Sequence, residues 1–155
     1  MTDSTLATGM NRIVRFPAFQ GQIGVAREEI TPPAGIYWRL WGAAQHDLAE
    51  GVHRPLWLTV VTLQTGPGCD PFVLVEADLI CFRDQKDVEK FVPGVLDELS
   101  LDPARFIMSF GHSHASQYLS AKVEPEWPGG ELIEPYWRKV REALFDATQR
   151  ALAVA

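Results

Sequence analysis

Cysteine and basic residues are both scarce in this 155-residue sequence. Cys69 and Cys81 are the only two cysteines. Two cysteines cannot build a disulfide framework, so we expect free thiols in a reducing compartment. The 14 lysines and arginines are outnumbered by 20 acidic residues, which leaves a net charge of −6 and argues against a broad nucleic-acid-binding surface. No apolar run approaches the about 20 residues that a transmembrane helix needs.

The first four residues carry no basic patch, and no apolar core follows them. The sequence therefore predicts no secretory signal, and we expect a cytoplasmic location. Residues 1–20 have the composition of a flexible lead-in. Residues 21–155 are about one domain in length, and 46% of the sequence is hydrophobic, which is ordinary for a globular protein.

Strand-like and helix-like segments alternate along the chain. One strand candidate begins at residue 24, and three more span residues 56–63, 72–77 and 106–110. The helix candidates span residues 84–100 and 134–155. This order predicts an α/β fold with a mixed β-sheet flanked by helices, as the N-terminal part of a larger α/β domain.

Three local features carry further expectations. Strands 56–63 and 72–77 are rich in β-branched and aromatic residues, which predicts that they are buried on both faces, and the Gly-Pro-Gly turn at residues 66–68 between them predicts a hairpin. Pro93 and Gly94 predict a kink or a break in the first helix. Residues 35–51 form a long loop whose Tyr37, Trp38 and Trp41 either line a pocket or pack in the core.

Two of the four histidines, His112 and His114, follow the last strand. Side chains two residues apart on an extended segment point to the same side, so both imidazoles can face one point. Two imidazoles suit zinc, and a catalytic zinc site normally adds a third protein ligand. Alternatively, one histidine caps the strand and the other is exposed to solvent.

His53 precedes the first long strand and is a candidate third imidazole, although a lone histidine there is more often structural. His46 lies in a loop beside Asp47 and is a weaker candidate. Asp78 follows the second long strand, where its carboxylate can orient a ligating histidine or cap the next turn.

Four segments resemble motifs of the neutral, non-lysosomal ceramidases and their bacterial relatives. Residues 24–33, Gly-Val-Ala-Arg-Glu-Glu-Ile-Thr-Pro-Pro, are similar to the opening Gly-Val-Ala-x-x-Asp-Ile-Thr-Pro-Pro of that family. Residues 51–56 resemble its Gly-Ile-His-x-x-Leu segment, and residues 73–79 its Val-x-Val-Ser-Ala-Asp-Leu segment. Residues 106–114 resemble its Val-x-Ile-Ser-Ala-Thr-His-Thr-His segment. The resemblance spans residues 22–150, with the motifs in the family's order.

The resemblance implies a zinc-dependent amide hydrolase that acts on a lipid-like or other small N-acyl substrate. It implies that His53 is a metal ligand together with His112 or His114. We expect His53 and His112 to be ligands, His114 to be either a ligand or a proton carrier, and Asp78 to orient a ligating histidine. The family's remaining ligands, a Glu and a Tyr, lie further along the chain than residue 155.

The sequence also departs from the family pattern. Ala115, Ser116, Gln117 and Tyr118 stand where the family has Ser-Gly-Pro-Gly, which leaves the substrate open. Two other functions therefore stay open: an incomplete, non-catalytic metal-binding domain that acts as a subunit, and a metallo-phosphoesterase. The assembly is also open, since the chain can be a homo-oligomer or part of a longer polypeptide.

Overall fold

A four-stranded mixed sheet forms the centre of the computed structural model, which describes residues 20–39, 42–120 and 126–154. The strands are β1 (Gln22–Glu29), β2 (Trp57–Gln64), β3 (Phe72–Ala77) and β4 (Phe106–Phe110), in the spatial order β1-β2-β3-β4. β2 is antiparallel to both β1 and β3, whereas β4 is parallel to β3. The predicted α/β class and mixed sheet are confirmed.

The two helices are α1 (Gln85–Leu99), which connects β3 to β4, and α2 (Ile133–Val154). Asp84 caps α1 by accepting a hydrogen bond from the Asp87 backbone N–H, and Ser100 ends it in the left-handed conformation. Of the predicted kink or break at Pro93, the break is wrong, because α1 continues through this residue. Arg141 of α2 donates to the Gly94 carbonyl and pairs with Glu98, so tertiary contacts hold this part of the helix.

Both helices contribute to one core on one face of the sheet. That face carries the fully buried Leu58, Val60, Val73 and Val75, while Phe91 of α1 packs edge-to-face on Trp137 of α2 at 5.0 Å. The expectation that β2 and β3 are buried on both faces is wrong. Their other face is only half-buried, because the described helices cover one side of the sheet.

The remaining sequence features fall as follows. Cys69 and Cys81 are both free, and burial raises the pKa of the Cys81 thiol. Neither of the described helices is long and apolar enough to span a bilayer. Residues 1–19 of the predicted lead-in, and Trp41, lie outside the described residues.

Gly24 allows β1 to lie directly against α2. A Cβ atom at this position would be 1.8 Å from the Ala151 carbonyl oxygen. That carbonyl belongs to the last turn of α2, where helix carbonyls lack partners within the helix, and it accepts a hydrogen bond from the Thr62 hydroxyl at 3.2 Å. A backbone-to-backbone contact of this kind has no flexible side chain that can move aside.

We predict that Gly24→Ala destabilises the protein, because the added methyl group forces β1 and α2 apart. The expected loss in the free energy of unfolding is about 1–3 kcal/mol, measured by urea denaturation. Gly66→Ala is the matched control, since nothing lies within 4 Å of a Cβ there. Equal stability of the two variants would contradict the close approach.

Candidate functional site

The segment after β4 continues the parallel pairing with the chain that follows β3. The Gly111 N–H donates to the Ala77 carbonyl at 2.9 Å, and the Ser113 N–H donates to the Leu79 carbonyl at 3.2 Å. Residues 111–113 therefore run beside residues 77–80 beyond the ends of both strands. This places His112 and His114 at the carboxyl end of the sheet, where ligands bind in open α/β sheets.

His112 is oriented by a backbone carbonyl. Its Nδ1 lies 3.0 Å from the Ile80 carbonyl oxygen. Because a carbonyl can only accept, Nδ1–H is the donor, and in the neutral ring the lone pair is then on Nε2. Metal-binding histidines are typically held in this way, with the second ring nitrogen donating to a carbonyl or carboxylate.

The backbone of His112 has a φ of 52°, in the left-handed region. Non-glycine residues adopt this conformation rarely, and such residues cluster at functional sites. The two histidines therefore do not meet through simple strand alternation, because β4 ends at Phe110 and His112 is not extended.

The two imidazoles nevertheless lie together. The ring centroids of His112 and His114 are 5.1 Å apart, with an interplanar angle of 67°. Two imidazoles that share one tetrahedral zinc, with Zn–N distances of about 2.0–2.1 Å, have centroids about 5 Å apart. The pair thus fits the spacing of two ligands on one ion.

His53 lies in the loop before β2 and lines an open cavity of about 740 Å³. Ala115, the residue after His114, lines the same cavity, so the His53 loop and the segment after β4 border one space. Within residues 20–39, 42–120 and 126–154, however, no group of three His, Cys, Asp or Glu side chains is placed to hold a metal. The described residues bring together two of the three predicted histidines.

The rest of the cavity lining is mostly apolar, with a few polar groups. Trp38, Leu48, Val52 and Leu56 supply the apolar part, and Arg54 is among the polar residues. Tyr37 points elsewhere and stacks on Trp127 at 4.6 Å and 9°. Of the predicted aromatic wall, Trp38 therefore lines the cavity and Tyr37 packs against another ring.

His46 also borders the cavity but is engaged with a neighbouring carboxylate. Its Nδ1 lies 3.3 Å from Glu50 Oε1, and both side chains are exposed. An exposed pair within one loop has the character of a surface contact.

Asp78 connects the end of β3 to the start of β2. Its Oδ2 accepts a hydrogen bond from the Trp57 N–H at 2.9 Å, and its own N–H donates to the Trp57 carbonyl at 2.8 Å. Asp78 therefore fixes the strand that follows the His53 loop to the segment that contains Ile80.

Glu76, the second-last residue of β3, is a carboxylate close to Asp78. Burial raises the pKa of Glu76 above its ordinary value, and the negative charge of Asp78 raises it further. The positive charge of Arg27 lowers this pKa and so opposes both effects. A Cβ on Gly111 would lie 3.0 Å from Glu76 Oε1 and 3.7 Å from Asp78 Oδ1. The two carboxylates thus flank the segment that leads into His112.

Sequence reasoning missed one group of the site, the Ile80 carbonyl. Every residue carries a carbonyl, so no side-chain pattern singles this one out. Only the parallel register, which brings residues 77–80 beside residues 111–113, determines which carbonyl His112 meets.

Two solved structures share this fold. The chain superposes on the neutral ceramidase from Pseudomonas aeruginosa with a TM-score of 0.61 and 15% identity, over 89% of this chain and 22% of that one. It superposes on a ceramidase complexed with C2 with a TM-score of 0.60 and 15% identity, over 88% of this chain and 22% of that one.

This likeness concerns the fold. The chain spans 22% of the length of either structure. No protein-family model matches the chain, and no curated protein matches it in sequence. The α/β fold is therefore that of a part of the neutral ceramidases.

We predict that Asp78→Ala destabilises the protein, because the Trp57 N–H loses its acceptor. The expected loss is about 1–3 kcal/mol, measured by urea denaturation. Asp78→Asn keeps an oxygen acceptor and should lose less. If both variants kept full stability but bound zinc more weakly, Asp78 would instead act directly on a metal ligand.

Proposed function

We propose that this chain contributes part of the zinc site of a hydrolase related to the neutral ceramidases, which cleaves an amide bond of an N-acyl substrate. The proposal rests on one observation about the two imidazoles. His112 donates from Nδ1 to the Ile80 carbonyl, which leaves Nε2 for a metal, and the ring centroids of His112 and His114 are 5.1 Å apart. The fold likeness to two ceramidases supports it.

In this proposal His53 and His112 are zinc ligands, and His114 is either a third ligand or the group that passes a proton to the leaving amine. Asp78 is a positioning residue that acts through the backbone of Trp57. When bound, zinc would lower the pKa of a water molecule toward neutrality and polarise the scissile carbonyl. Further ligands come from outside the described residues, in keeping with the chain's 22% share of the ceramidase structures.

The cavity beside His53 supports an acyl-containing substrate. Its lining is largely apolar, which suits a hydrocarbon chain, and its polar residues lie in the same loop as His53. A small or lipid-like N-acyl compound is therefore the substrate class that we propose.

We predict that the protein binds zinc and that His112→Ala and His53→Ala each lower the affinity about 100-fold, because each removes a ligand. Competition with a chromophoric chelator measures the affinity. His114→Ala separates its two roles, since a ligand's loss weakens zinc binding and a proton carrier's loss does not. His46→Ala is the matched control and should bind zinc as the wild type does, because His46 borders the same cavity but pairs with Glu50.

Zinc should also raise the melting temperature of the wild type, because a ligand that binds only the folded state stabilises it. Unchanged zinc affinity in His112→Ala would refute the site.

With the remaining metal ligands supplied by the rest of the hydrolase, we predict zinc-dependent release of fatty acid from N-acyl amides, measured by mass spectrometry, and no release when this chain carries His112→Ala. Removal of zinc by a chelator should abolish the release, and added zinc should restore it. Hydrolysis of a generic phosphoester without amide cleavage would instead favour the metallo-phosphoesterase.

A metal-binding subunit without turnover is the second candidate function. It is favoured by the finding that the described residues contain no group of three ligands placed for a metal. Zinc binding that depends on His112, together with no turnover of either substrate class, would support it. Activity restored by adding a separate polypeptide would then identify the missing part of the site.

A further inference from the structure

The sheet face opposite the helices carries apolar side chains in aligned rows. Val25, Val61, Leu74 and Ile107 pair in register across all four strands. Val25 is 58% exposed and Ile107 is 52% exposed, at the two edges of the row. The two central residues are half-buried.

A second apolar row lies beside the first. Ile23, Leu63 and Phe72 pair in register across β1, β2 and β3, and Ile23 is 57% exposed. Single exposed apolar residues are ordinary on protein surfaces, but a contiguous patch across a whole sheet marks an interaction surface. We call these two rows the apolar face.

The next row on the same face is polar and carries opposite charges. Arg27, Thr59, Glu76 and Ser109 pair in register, so the positive charge lies on β1 and the negative charge on β3. Within the chain, the guanidinium of Arg27 lies 4.3 Å from the centroid of the Trp57 ring.

We propose that the apolar face packs against the apolar face of a second copy of this chain, so that two sheets form the centre of a dimer with the helices outside. The two copies are related by a two-fold axis that lies between the sheets and runs parallel to the strands. Sheets packed face to face are a stable layer arrangement, with about 10 Å between them.

This axis makes the face complementary to itself. Rotation about this axis leaves the position of each row along the strands unchanged but reverses the order of the strands. β1 therefore lies over β4 of the second copy, and β2 lies over its β3. Val25 then faces Ile107 of the second copy, and Val61 faces its Leu74. In the second row, Leu63 faces Phe72 of the second copy, whereas Ile23 lies over the residue that precedes its β4.

The same two-fold axis also brings the opposite charges of Arg27 and Glu76 close to each other across the interface. Glu76 of the second copy lies opposite Thr59 and therefore one strand away from Arg27, within reach of its long side chain. Symmetry makes this contact twice. A second copy thus matches both the apolar and the charged rows, which is our reason for choosing it over an unrelated partner.

The area of the sheet face indicates whether the dimer is weak or strong. Four strands about 4.8 Å apart and about 20 Å long cover about 400 Å² in projection. Burial of about 400 Å² on each copy is about half of the about 800 Å² per partner in a standard interface, so we expect a weak, reversible dimer, with a dissociation constant in the micromolar range.

The first test measures molar mass by sedimentation velocity between about 1 and 200 µM, a range that brackets a micromolar dissociation constant. The wild type should shift from monomer to dimer across this range. Leu74→Glu should weaken dimerisation at least about tenfold, because it places a charge in the centre of the apolar face. Val154→Glu is the matched control at the end of α2, where Val154 is 69% exposed, and should dimerise normally. Circular dichroism and thermal unfolding show whether each variant is folded.

The second test uses the charged row. Arg27→Glu and Glu76→Arg should each weaken self-association, since like charges then meet twice. An equimolar mixture of the two variants should form heterodimers as well as the wild type forms homodimers, because the opposite charges are restored.

Three results would overturn the proposal. These are a wild type that stays monomeric at the highest concentration, a Leu74→Glu variant that dimerises normally, and a variant mixture that associates no better than either variant alone. A monomeric wild type would indicate that a different polypeptide segment packs on the apolar face. The readout is molar mass without zinc, so it is independent of the proposed hydrolase activity.

Discussion

The parallel pairing of β3 with β4 is the constraint on which the candidate site depends. The register runs from Val73 opposite Phe106 to Ala77 opposite Phe110 and continues past both strand ends. That continuation brings His112 to the Ile80 carbonyl and so determines which ring nitrogen holds the lone pair. A slip of one residue would turn each side chain of β4 to the opposite face and would break this contact.

The same pairing also determines the two faces of the sheet. Alternation sends Val73 and Val75 toward the helices and leaves Leu74 on the opposite face. Because α1 and α2 both pack on the first side, the second side keeps its apolar rows without a covering layer among the described residues. The proximity of His112 and His114 and the apolar face are thus two results of one register.

Much of this fold follows from local sequence signals. Runs of β-branched and aromatic residues predicted β2 and β3, the Gly-Pro-Gly turn at residues 66–68 predicted the hairpin, and the spacing of apolar residues predicted α1. The errors have physical causes. Apolar composition does not tell whether a second layer covers a strand, and the effect of Pro93 depends on tertiary contacts such as that of Arg141 with Gly94. The proximity of His112 and His114 was predicted by alternation, but the structure achieves it through a left-handed residue.

A site oriented by the main chain tolerates sequence divergence well. At 15% identity the fold of the ceramidases is retained, and the Ile80 carbonyl orients His112 whatever the side chain of residue 80 is. The loop that follows His114 can therefore change independently of the histidines. Ala115 lines the cavity, and the Gln117 side chain donates to the Tyr37 carbonyl, which holds this loop against the segment that leads to Trp38. Because these residues depart from the Ser-Gly-Pro-Gly of the resembling family, the change alters the wall of the cavity, while the orientation of His112 stays fixed by the backbone.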